Sequence, residues 1–176
     1  MTKVIIDAKL IDEPNSNDYH EKIYDISTPW SSSEWTWVKF TTDAYREWCG
    51  NFRGSPRGVA VSEKYNCILV LTSDFLYKLS SSDGELLAYE AEPQFQVLTV
   101  TPSGEFVAAD YYSIVRLEPD LTTNQPLKSP IEMDYISFEE WTNSTLTIQC
   151  TEFLNDAKKV TLELDGETFE VKIKHK

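Results

Sequence analysis

A chain of 176 residues with 41% apolar and 12% aromatic residues can bury a core without disulfides or a structural metal, a composition that argues against intrinsic disorder. Its 16 Lys plus Arg stand against 29 Asp plus Glu, a net charge of -13 that repels polyphosphates: nucleic acid is set aside as a partner and a basic protein surface favoured. The three cysteines, Cys49, Cys67 and Cys150, form no C-x-x-C pair, the N-terminus MTKVIIDAKLIDEP lacks a signal core, and no run approaches the ~20 apolar residues of a spanning helix, so a cytoplasmic protein without membrane contact is expected.

Helical periodicity is scarce, and short apolar or alternating runs divided by turn signals fill the chain. The first strands are expected near 4–10, 23–26, 35–40 and 45–52, with the polar loop IDEPNSNDYHEK at 11–22 between the first two. Asp12, Asn15, Asn17, Asp18 and His20 in that loop do not fall on the alternating positions of a calcium loop, so no metal is expected there. In WTWVKF (35–40), Trp35 and Trp37 share a strand face with Lys39 and alternate with Thr36, Val38 and Phe40, so one face packs inward and the other is partly accessible.

REWCGNFRGSPRG (46–58) holds three of the four arginines and three of the six glycines. Trp48 and Phe52 share a face around Gly50, with Cys49, Asn51 and Arg53 opposite, and Pro56 is expected to break the strand, making the stretch a connector between sheets. Arg46, Arg53 and Arg57 are either internal counter-ions or an anion-recognising patch. Cys49 is a buried small hydrophobe on one reading and a thiol activated by nearby arginines on the other.

Farther along, 67–71 (CILVL) and 106–109 (FVAA) are apolar on both faces, which places them inside a covered sheet, and Asp83-Gly84 and Ser103-Gly104 mark turns between antiparallel neighbours. Residues 58–87 lie over 97–127 with a single gap. Val59 and Val61 match Leu98 and Val100; Ile68, Leu69 and Val70 match Phe106, Val107 and Ala108; Leu76, Lys78 and Leu79 match Ile114, Arg116 and Leu117. A fainter copy runs from Tyr135 to Ile173. Within it, VTLELDGETFEVKI reads as a hairpin around Asp165-Gly166 that pairs Leu162 with Phe169 and Val160 with Val171.

These repeats, GVAV…ILVLTSDFLYKLSSSDGEL and VTPSGEFVAADYYSIVRL, resemble β-propeller blades of the NHL or quinoprotein-like kind, best over 58–127 and faintly over 134–174. The resemblance implies a small four-bladed propeller-like fold in which residues 3–52 supply the remaining blade. The fold class is all-β, antiparallel meanders with blade-like repeats at about 58–90, 96–128 and 134–174 in one domain of 176 residues; a β-sandwich or open barrel of the same meanders is the alternative.

Phosphate cradles and nucleophile motifs are missing from the sequence, so the leading expectation is a non-enzymatic binding module without a cofactor. It would recognise a basic protein partner, as an inhibitor or immunity-type protein does, and act as a monomer or homodimer. Binding residues are expected among Trp35, Trp37, Trp48, Arg46, Arg53 and Arg57. Two alternatives compete. Asp74, Asp110 and Asp134, each beside an aromatic in SDF, DYY and MDY, could converge as the carboxylates of a propeller-like hydrolase or lactonase, or simply form turns at strand ends. An open row of Trp30, Trp35, Trp37 or Trp48 could bind carbohydrate.

Overall fold

The computed structural model describes residues 3–26 and 28–175, and these contain strands, turns and loops without a helix. They fall into two compact units, Met1–Pro93 and Gln94–Lys176, each made of two four-stranded sheets.

In the first unit, β1 (Ile5–Ile11), β2 (Glu21–Tyr24), β3 (Trp35–Thr42) and β4 (Glu47–Arg53) form a sheet in the order β1-β3-β4-β2. Four strands occupy the four expected positions, but the sheet is not a simple meander: β2 crosses to the far edge and pairs parallel to β4, Tyr24 opposite Phe52. The physical reason lies in Tyr24. Its ring stacks on Phe52 at 4.5 Å and its hydroxyl donates to the Gly84 carbonyl, so the parallel edge buries an aromatic that an outer antiparallel hairpin would leave in water.

The second sheet runs in chain order: β5 (Pro56–Ser62), β6 (Cys67–Thr72), β7 (Phe75–Ser80) and β8 (Leu86–Ala91). Pro56 does not break β5. It is the first residue of this edge strand, where its missing N–H costs no ladder bond, and a register shift between Pro56 and Gly58 absorbs the misfit. Every residue of β6 is buried, as its two-sided apolar pattern requires. Between β7 and β8, Gly84 has φ 74, and a Cβ there would lie 2.8 Å from the Trp48 ring, so the turn needs glycine for its backbone and for this close approach. Val38, Phe40, Phe52, Ile68, Val70 and Tyr77 are the centre of this unit's core.

In the second unit, β9 (Val97–Val100), β10 (Phe106–Ala109), β11 (Ile114–Leu117) and β12 (Asn124–Pro126) form one antiparallel meander, and β13 (Met133–Thr142), β14 (Thr145–Glu152), β15 (Asn155–Asp165) and β16 (Val171–Ile173) another. The internal repeat is realised pair by pair. Ile68 faces Leu79 and Leu69 faces Lys78, while their counterparts Phe106 and Val107 face Leu117 and Arg116. Val107, Ile114, Leu146, Ile148, Leu162 and Leu164 anchor the core of this unit.

The last hairpin has a different register from the one expected: Leu164 faces Val171 and Leu162 faces Ile173. A two-residue turn at Asp165-Gly166 would leave the Asp165 carboxylate idle. It accepts instead from the N–H groups of Glu167 at 2.8 Å and Thr168 at 3.1 Å, and Phe169 turns through φ 61 to close a longer loop. The slip moves each partner by four residues, an even number, so the inward face is kept.

Candidate functional site

The Trp-rich stretch divides as its alternation predicts. Thr36, Val38, Phe40 and Thr42 are buried, and Trp35, Trp37 and Lys39 lie half-buried on the outer face. Trp48 is committed to packing, stacked on Phe40 at 4.5 Å. Trp35 is covered by the Arg53 guanidinium, 3.9 Å above its ring. The row of open tryptophans needed for a sugar platform is therefore not formed by Trp35 and Trp48. Trp30 is the open one, 81% exposed.

Arg53 is a staple. Its Nε and Nη2 donate to the two oxygens of Asp25 at 3.3 and 3.0 Å, and its Nη1 donates to the Ser32 carbonyl at 3.2 Å, pinning the connection between β2 and β3. Arg57 donates to the Pro93 carbonyl at 3.4 Å. Arg46 is exposed, and its backbone closes the β3–β4 turn by hydrogen bonds with Thr42. Arg46, just before β4, and Arg53, its last residue, lie roughly 23 Å apart at about 3.3 Å per residue, so these two do not share a single patch. Cys49 is buried, and desolvation, followed by the nearby Glu21 carboxylate, pushes its thiol up to about 11; it is not an activated nucleophile.

The loop that Arg53 pins is held from its other side by Asp74, whose Oδ2 accepts from Ser32 N–H at 2.8 Å while Oδ1 accepts from the Ser73 hydroxyl at 3.0 Å. Beside it opens a cleft of about 450 Å³ lined by Thr28, Trp30, Ser73, Asp74, Phe75 and Glu92, with Ala91 at the end of β8. Glu92 is in the left-handed region at φ 52, and its N–H donates to the Asp74 carbonyl at 2.9 Å, which brings the two carboxylate-bearing residues to one rim. Among the described residues, no Lys or Arg lines this cleft. An open indole face beside two carboxylates is an arrangement for a cation: the ring quadrupole and the two anions act with the same sign on it.

Asp110 and Asp134 are used locally. Asp110 accepts from the N–H groups of Tyr112 and Ser113 at 2.8 and 2.7 Å, and Asp134 from Tyr135 N–H at 2.9 Å. Asp110 therefore behaves as a turn-forming residue and Asp134 as part of an irregularity within β13, beside the left-handed Tyr135 at φ 50, and among the described residues no group of three or more His, Cys, Asp or Glu is placed to hold a metal. What the sequence indicated through SDF, DYY and MDY was of use in another way, because Phe75, Tyr112 and Met133 from those triplets line clefts in the two units. Glu92 was not singled out in the sequence, since only its backbone link to Asp74 draws it to the cleft.

No family model and no curated protein matches the chain. Among solved structures, the extracellular domain of a protein described as a hybrid two component system from B. thetaiotaomicron is similar at TM-score 0.51 and 12% identity, over 78% of this chain and 20% of that one. The N-terminal domain of Nup159 is similar at TM-score 0.45 and 12% identity over 70% of this chain and 34% of that one. A protein of unknown function from Bacteroides caccae gives TM-score 0.45 and 13% identity over 93% of this chain and 63% of that one. The chain thus spans a fifth of the B. thetaiotaomicron domain and about a third of the Nup159 domain. The class this defines is an all-β protein built of four four-stranded sheets, two in each unit.

Proposed function

We propose that the chain is a non-catalytic module that recognises a basic protein partner, in the manner of an inhibitor or immunity-type protein, on blades of the NHL or quinoprotein-like kind. The observation that carries this reading is the cleft in which the 81% exposed Trp30 stands beside Asp74 and Glu92 with no cation among its lining residues. A lysine or arginine from the partner would stack on the indole and pair with the carboxylates, and the net charge of -13 would steer its approach. A cytoplasmic setting belongs to the proposal and rests on the three free, buried thiols. The carbohydrate-binding reading retains Trp30 as an open ring with Trp37 half-buried, and the hydrolase reading has Asp110 and Asp134 engaged in local hydrogen bonds, so both stand behind it.

A lysine-rich peptide tests the proposal directly. Its addition should change the tryptophan fluorescence, with affinity falling steeply between 50 and 500 mM NaCl as the Debye length shrinks to a few ångströms. Trp30→Ala and the pair Asp74→Asn with Glu92→Gln should each abolish the effect. Saturable binding of a neutral oligosaccharide through Trp30, insensitive to salt, would overturn it in favour of a sugar site.

A further inference from the structure

The second unit contains a groove of a different character. It has a volume of about 610 Å³, within the range of small-molecule sites, and Leu127, Ile131 and the buried Met133 form its apolar lining. Two rings wall it: Tyr112, from the β10–β11 turn, and Phe153, from the β14–β15 turn, meet edge to face at 5.7 Å. Phe153 is fixed there because its N–H donates to the Glu132 carbonyl at 3.0 Å, tying the turn across the connection between β12 and β13.

The polar groups decide what this groove would take. Ser113 Oγ is engaged with Asp110, and Ser129 Oγ accepts from Ile131 N–H. Glu132 also lines the groove, and among the described residues its carboxylate has neither an ion pair nor a hydrogen bond. Among the described residues, no Lys or Arg lines the groove to neutralise it. An apolar floor, two aromatic walls and one unpaired carboxylate are complementary to an apolar body that ends in an ammonium group.

We propose that the groove bounded by Tyr112, Phe153, Met133 and Glu132 is a binding site for a small apolar amine, whose ammonium pairs with Glu132 while its hydrocarbon or aromatic body lies on the apolar floor against the two rings. This inference is independent of the partner-binding cleft in the first unit, and it requires a ligand of small-molecule size.

Met133 provides the reporter, since the chain has 2 methionines and the other is Met1. With methyl-labelled methionine, titration of the full chain with tryptamine should shift the Met133 methyl resonance saturably. Tryptophol, the neutral analogue, should bind about fivefold or more weakly, and indole-3-propionate more weakly still, because one lacks and the other reverses the charge that Glu132 recognises. Glu132→Gln should remove the preference for tryptamine over tryptophol, and Phe153→Ala, a half-exposed turn position, should weaken both. Trp30→Ala should leave the titration unchanged, which separates this site from the one proposed above. An unmoved Met133 methyl at millimolar tryptamine, or equal affinity for the three indoles, overturns the proposal; so does a response only to a lysine-rich peptide, which would make the groove a protein contact.

Discussion

A methyl group added at position 50 would sit 2.7 Å from Phe52 and 2.8 Å from Phe40, both fully buried. Neither ring can retreat, since Phe52 is stacked on Tyr24 and Phe40 on Trp48. Gly50→Ala should therefore destabilise the fold by about 1–3 kcal/mol through overpacking, read as a lower urea midpoint at unchanged slope. Next to it, the Cys49 thiol is raised from 9.0 to about 11 by burial and then by Glu21. The folded state therefore holds this proton to higher pH than the unfolded chain, and stability should fall as pH rises from about 9 to 11. Below that window the native thiol should react slowly with a disulfide reagent at pH 8 and quickly in urea; Cys49→Ala should flatten the alkaline slope. Arg53→Ala tests the staple: a lower urea midpoint is expected from the loss of the Asp25 and Ser32 contacts, and Arg53→Lys should restore little of it because an ammonium cannot reproduce the fork.

At the level of elements, the turn at Asp165 carries its own pH signature. Hydrogen bonds from the Glu167 and Thr168 N–H groups hold this carboxyl below the usual aspartate value. A depressed folded pKa contributes stability that is present above the unfolded value near 3.8 and is lost as pH falls through the folded one. Asp165→Asn keeps an acceptor for the turn but removes the charge, so the variant should lose less stability than the parent when both are unfolded thermally between pH 4 and 2. The same turn shows where sequence pattern stops being informative. Period-two alternation placed β15 and β16 and kept Leu162 and Leu164 inward, yet it could not count the turn residues, because the Asx geometry and the left-handed Phe169 are local hydrogen-bond choices to which the alternation is blind. The two best repeats were legible as matched positions, Leu69 with Val107 and Lys78 with Arg116, and the structure gives both copies the same register, Leu69 facing Lys78 and Val107 facing Arg116. The parallel placement of β2 was not legible, because four residues of EKIY do not reveal which partner Tyr24 will stack against. The Arg-rich stretch misled for a related reason: nearness in sequence becomes distance along an extended strand. Trp30 was visible as a residue but not as the open ring, since its exposure of 81% stands out only once Arg53 is seen to cover Trp35 and Phe40 to stack on Trp48.

Taken as a whole, the molecule sets a strong charge against an apolar sheet edge. All six residues of β8, LLAYEA, are exposed, with Leu87 at 56% and Tyr89 at 48%, and β8 is the last strand of its sheet. An edge of this composition is a template for strand pairing between copies. Two devices oppose that pairing: the register shift opposite Lys78 and Leu79, which bulges the strand near Leu87, and the mutual repulsion of chains with a net charge of -13. The first is local and unaffected by salt, the second is screened, so the balance between monomer and homodimer should depend on ionic strength. Sedimentation at pH 7 should show monomer at 20 mM NaCl and a growing dimer fraction toward 1 M, where the Debye length is about 3 Å. Leu87→Lys distinguishes edge pairing from general charge screening. It moves the net charge from -13 to -12, which by repulsion alone would increase association, whereas a lysine on the edge strand should suppress it; a variant that dimerises more readily than the parent would show that β8 is not the surface through which copies meet.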